Sequence, residues 1–333
     1  MLTKASVCDS QPEFNVDRSL QIAKLRTTLH SSRQFLAKVR SMSIPTFDCR
    51  TLNRPTAGLG NLRRCWLKRS TFGLVLWMGS GFVRPLKFPL LGAESRREWP
   101  YEVDAGQFRI HVDFQLMAND SVLTELDHLS ADVAQMLRIS LPKTIMHVVL
   151  FGGEQEYRRY MAHYFPSLPQ RRALFIQTRG TGMLFAHRHA DLATDLRHEA
   201  VHALLNEGSK PLPLWLDEGL AEYFEVPQRQ RWRGHCHLES INGMLAKPGW
   251  PDLEHLEAAS DVSSMSSDQY RDAWAWVHFL LHRHRDTRDL LVEHLDALRV
   301  GRPCPPLSRT IAAQFPNWDS ALQDHFKCLS NSG

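Results

Sequence analysis

The sequence predicts an α+β domain, and three observations predict it. Short alternating or apolar runs read as strands; between them lie segments with apolar residues at helical spacing; and two further helical segments follow one another at mid-chain. FRIHVDFQL (108–116) alternates as a strand does. SVLTELDHLSADVAQMLRI (121–139) sets Leu123, Leu126, Leu129, Val133 and Leu137 on one helical face behind an Asp/Ser start. TIMHVVLFGG (144–153) is an apolar strand ending in glycines, EQEYRRYMAHYF (154–165) a short helix, and ALFIQTRG (173–180) a further strand. A helix then runs from about Asp191 to Glu207, stopped by Gly208. LWLDEGLAEYFE (214–225) repeats Trp215, Gly219 and Tyr223 at four-residue steps beside Leu216 and Leu220, so it is a second helix. The expected architecture is a mixed sheet lying against these two helices, with a helical C-terminal part that includes QYRDAWAWVHFLL (269–281).

Charge divides the chain unevenly. Residues 1–93 hold 15 Lys/Arg against 4 Asp/Glu, whereas 94–333 hold 25 against 32. The body is therefore mildly acidic, and nothing about it suggests nucleic acid. The basic third is expected to be a leader (1–93), with a poorly structured extension and a body beginning at 94. Within it, LRRCWLKRSTFGLVLWMGSGFV (62–83) joins a basic stretch to an apolar run too short to span a bilayer, the pattern of an export signal. Arg63-Arg64-Cys65-Trp66-Leu67-Lys68 resembles the twin-arginine signal R-R-x-F-L-K, with Trp in place of Phe. That resemblance implies an exported protein, periplasmic or in the cell envelope, reaching a membrane only through an uncleaved signal. The other reading is a buried apolar segment behind a solvated basic face, in a cytoplasmic protein.

RHEAVHALLNEG (197–208) carries the chemistry. His198 and His202 are four apart, hence stacked on one face of a helix, with Glu199 between them. This is the H-E-x-x-H pattern, in which the two imidazoles hold Zn²⁺ and the glutamate is a general base. A catalytic zinc site needs a third protein ligand, and after a proline-containing turn Glu218 returns on the second helix.

WLDEGLAEYFE strongly resembles the W-L-N-E-G-F-A segment of the gluzincin metallopeptidases, which include thermolysin and the zinc aminopeptidases. It is closer still to the bacterial peptidase-MA-like proteins, many of them exported. The resemblance covers most of residues 100–285 and implies a zincin-like domain. It implies one zinc on His198, His202 and Glu218, with Glu199 as base, and a peptide or protein substrate. Fifteen residues separate His202 from Glu218, fewer than in the aminopeptidases, so Glu222 stays open as the alternative ligand, as an acid orienting a histidine, or as a solvated residue. The family's oxyanion tyrosine would fall at Tyr270, which could equally be a helix-start tyrosine packed on Trp274. Aminopeptidases of the family anchor a free amine with an acidic loop; here Gly180-Thr181-Gly182-Met183-Leu184 has no acid, which favours endopeptidase action over removal of terminal residues. A module that keeps the fold only to bind is the alternative, disfavoured by the intact Glu199.

The remaining histidines are read as ordinary. His187 and His189 belong to a solvated turn, and His235, His237, His282 and His284 to the surface or to helix ends. Six cysteines form no CxxC pair, and Cys304 with Cys328 is the only pair worth considering for a disulfide.

Overall fold

The computed structural model describes residues 76–77, 99–117, 120–177, 182–206, 211–245 and 250–331. The fold is α+β: a six-stranded mixed sheet followed by a helical C-terminal half. The strands are β1 (Leu76–Trp77), β2 (Tyr101–Ala105), β3 (Phe108–Val112), β4 (Met146–Phe151), β5 (Ala173–Gln177) and β6 (Met183–His187). The helices are α1 (Ser121–Leu137), α2 (Glu154–Tyr164), α3 (Leu192–Asn206), α4 (Leu214–Phe224), α5 (His237–Asn242), α6 (Leu253–Glu257), α7 (Ser267–His282), α8 (Arg285–Arg299), α9 (Leu307–Gln314) and α10 (Trp318–Asn331). None among the described residues is long and apolar enough to cross a membrane.

Sheet order is β1-β5-β6-β4-β3-β2. β2 and β3 form a hairpin turned by Gly106, whose φ of 59° suits a residue without Cβ; a methyl there would also meet Asp127 O at 2.9 Å. α1 crosses over between the parallel pair β3 and β4, and α2 leads from β4 toward the antiparallel pair β5 and β6. Alternation along the strands then separates two apolar faces. Val148, Leu150, Phe175 and Leu184 face α1, α3 and the later helices, whereas Val149, Phe151, Leu174 and Phe185 face Tyr157, Tyr160 and Met161 of α2.

Most expected elements occur, most of them slightly shorter than their sequence patterns, although α7 extends beyond its 269–281 pattern at both ends. Three strands were not anticipated: β1, β2 and β6. β6 is MLFAH, whose last residue is His187; that imidazole is buried against Tyr157 at 5.2 Å rather than solvated. His189 also departs from the expected solvated turn, with Nε2 3.3 Å from Asp195 Oδ2 and a side chain only 13% exposed. β5 is not the outermost strand, because β1 pairs with it in parallel at Ile176–Gln177. Apart from Leu76–Trp77, the leader, including the 62–83 segment, lies outside the described residues, as does Gly208. Cys304 and Cys328 are not bonded to each other.

Candidate metal centre

α3 is buried on nearly every side, yet it carries Asp195, Arg197, His198, Glu199, His202 and Asn206 inward. A buried helix tolerates such groups only if each finds a partner, so their partners define the site. α4 packs beside α3 and against α7. Gly219 allows that contact: a Cβ there would stand 2.7 Å from Ala273 O and 2.9 Å from Val277 Cγ2. The glycine next to Glu218 therefore lets α4 sit backbone-close on α7, which fixes where Glu218 points.

The geometry brings three of the expected residues together. His198 Nε2 is 3.5 Å from Glu218 Oε2, and His202 Nε2 is 3.7 Å from the same oxygen. The edge of a tetrahedron with zinc–ligand bonds of 2.0–2.2 Å is about 3.4 Å, so these atoms stand where a shared zinc would hold them. Both Nε2 atoms and both oxygens of Glu218 are buried without a hydrogen-bond partner. Polar atoms left in that state cost about 1–3 kcal/mol each. The donor set fits a metal, and the orphaned atoms are the observation that says so.

The other ring nitrogens are supported from behind. His198 Nδ1 lies 3.2 Å from Glu225 Oε2, and His202 Nδ1 lies 3.0 Å from Asp217 Oδ2. Asn206, in the last turn of α3, holds Asp217 by donating Nδ2 to Oδ1 at 2.8 Å. A carboxylate behind each imidazole turns Nε2 toward the metal position and raises its basicity. Electrostatics agree. Burial alone would depress both histidines, but Glu218 and Glu225 hold His198 well above its usual pKa, and Asp217 and Glu218 raise His202. Several buried carboxylates drawing protons onto two imidazoles make a place for positive charge.

Glu199 is 1% exposed and accepts from Phe175 N of β5 at 2.8 Å. Burial raises its pKa, with His202 and His198 opposing. Tyr270 is buried on α7; burial raises its pKa most, followed by the charge of Glu218 and, more weakly, Glu222 and Glu199. Its phenol is thus protonated and within the field of the site.

Glu222, the alternative ligand, is fully buried and accepts from His237 Nε2 at 3.0 Å; with His198 and Glu225 it also offers donor atoms within 4.8 Å of one another. His235 is 3% exposed and stacks on Trp274 at 4.9 Å, and His237 is mostly covered, so neither is the surface residue that was expected. Sequence reasoning missed Asp217 and Glu225. Their signal was available: Asp217 stands on α4 one residue before Glu218, and Glu225 caps its C-terminal end one heptad after Glu218.

A family described as "Protein of unknown function (DUF1570)" matches residues 191–303, which span α3 through α8. The M1 zinc metallopeptidase from Deinococcus radiodurans is similar in structure at a TM-score of 0.41 and 16% identity, covering 69% of this chain and 50% of that one. A mutant of the same enzyme matches at 0.41 and 15%, with the same coverage. The chain thus spans about half the length of the solved structures it matches. No curated protein sequence matches it.

Proposed function

We propose that the body of this chain is a zincin-like, zinc-dependent peptidase, an endopeptidase, with one catalytic zinc on His198, His202 and Glu218. The observation that supports this most is the set of orphaned, mutually close ligand atoms on α3 and α4, with Glu199 beside them. A zinc bound there supplies Lewis acidity, polarising a carbonyl and making water a stronger acid.

Glu199 takes the proton of the attacking water and returns it to the leaving amine. Its burial keeps its pKa above the usual carboxylate range, closer to the working pH of a proton carrier. The β5 amide on its other side fixes the carboxylate. Tyr270 keeps its proton and donates to the oxyanion that forms on the scissile carbonyl. β5 runs beside Glu199, so an extended peptide could align along it by strand addition, outside the two residues that β1 covers.

Glu199→Gln is the test. It should retain fold and zinc, yet lower hydrolysis of a protein substrate such as casein by about 10²–10⁴-fold. A variant as fast as wild type would remove Glu199 from the mechanism. Zinc retention with no hydrolysis in the wild type would favour a binding module instead. We also propose export through the Arg63-Arg64 segment; replacing both with Lys should leave the protein in the cytoplasm, and unchanged fractionation would refute it.

A further inference from the structure

Residues 235–237 read His-Cys-His, between α4 and the start of α5, and the catalytic reading uses none of them. One donor atom from each residue lies within 4.8 Å of the other two, and Cys236 Sγ is 4.0 Å from His235 Nδ1. The sulfur–nitrogen edge of a tetrahedral zinc site is about 3.6 Å, from Zn–S near 2.3 Å and Zn–N near 2.0 Å, so a small closure suffices.

Tautomers favour the same arrangement. His235 Nδ1 accepts the backbone N–H of His237 at 3.1 Å, so that nitrogen bears no proton and Nε2 bears it. Nε2 in turn faces Glu225 Oε1 at 3.2 Å and Glu222 Oε2 at 3.5 Å. His237 Nε2 donates to Glu222 Oε2 at 3.0 Å. Each imidazole thus turns Nε2 to a buried carboxylate, the way carboxylates prepare histidines to bind metal; a metal on His235 Nδ1 would displace the His237 N–H that this nitrogen now accepts. Trp274, stacked on His235 at an angle of 22°, holds that ring in place. Cys236 is only partly buried, which leaves an open side at the sulfur for ion entry and a further ligand, whereas His237 is mostly covered.

We propose that His235, Cys236 and His237 form a second metal site, for zinc or another thiophilic cation. It shares no ligand with the site on His198, His202 and Glu218. It is coupled to that site through Glu225, whose Oε2 supports His198 and whose Oε1 supports His235. Metal at the cysteine site would fix Glu225 and with it the orientation of His198.

The experiment is cobalt titration of the metal-stripped full chain. A thiolate-to-cobalt charge-transfer band in the near ultraviolet reports sulfur ligation, which the nitrogen and oxygen set of the first site cannot give. The band should saturate at about one equivalent and vanish in Cys236→Ser. It should persist in His202→Ala, where the first site is broken. Zinc content should fall from about two per chain to about one in Cys236→Ser. A wild-type chain without the band, or a band that survives Cys236→Ser, overturns the proposal. If the band follows the proposal while His202→Ala and Glu199→Gln leave hydrolysis unchanged, the catalytic reading fails and this site stands.

Discussion

Two of the clusters of buried histidines among the described residues have opposite characters. Around His198 and His202 stand Asp217, Glu218 and Glu225, and both imidazoles hold protons more tightly than usual. Around His278, on α7, stand His282, His325 of α10 and the ring of Trp232. Burial depresses all three there, His278 well below the usual value, His282 to about 4 and His325 to about 3, and other cationic groups depress them further. His278 donates Nε2–H to Trp232 O at 3.2 Å and receives His325 Nε2–H on Nδ1 at 2.9 Å; His282 Nε2 takes the Tyr223 hydroxyl at 2.7 Å. These neutral rings serve as polar core that ties α10 and the loop at Trp232 to α7. Burial is common to both clusters, and the carboxylates around His198 and His202 outweigh it there; at His235 burial wins even beside Glu225 and Glu222.

The comparison breaks most simply at His202. His202→Ala should abolish zinc binding at the first site and hydrolysis with it, because a first ligand is gone; metal analysis with an activity assay checks this. Replacing a histidine of the second cluster, as in His325→Gln, should leave both intact. Zinc loss in His325→Gln would mean that the clusters are not separate.

A smaller effect tests the carboxylate behind His198. Glu225→Gln keeps size and hydrogen bonding but removes charge, and should weaken zinc at the first site about 10–100-fold with the fold preserved. Competition against a chelating dye measures it. Unchanged affinity would show that Glu225 does not act through His198.

Acid should separate the clusters in stability. For His278, His282 and His325 the folded pKa lies below the unfolded value of about 6.5, so the unfolded state binds more protons and stability is lost as pH falls below that value. Between pH 7 and pH 5.5 the zinc-loaded protein should lose on the order of 1 kcal/mol for each of these histidines, and less in His325→Gln. Urea melts at the two pH values read it; an equal slope in both proteins would refute the assignment.

The smallest effect is Tyr223→Phe. It removes the hydrogen bond to His282 and should cost about 1 kcal/mol with zinc content unchanged. A fall in zinc would place Tyr223 of α4 in the first cluster instead.

Much of this was legible in the chain. The four-residue step from His198 to His202, and the Trp-Leu-Asp-Glu-Gly block, placed the motif helices because helical periodicity is local. β6 was not legible: MLFAH is a short apolar run ending in histidines, and such runs do not distinguish strand from loop until a partner strand is known. The local sequence around His235 and His237 resembles a surface turn, and the packing of Trp274 against it, with Glu222 and Glu225 beside it, buries His235.

The sequence by itself determined which residues could meet on one helix face: His198 and His202 on α3, and Glu218 and Glu222 on α4. Spacing of three to four residues enforces those meetings whatever surrounds the helix. Only the tertiary structure decided which carboxylate faces which imidazole. Gly219 sets the depth of α4 on α7, which points Glu218 between the histidine Nε2 atoms and sends Glu222 to His237. Contacts between helices depend on how two surfaces interlock across long stretches of chain, and no local pattern encodes that register.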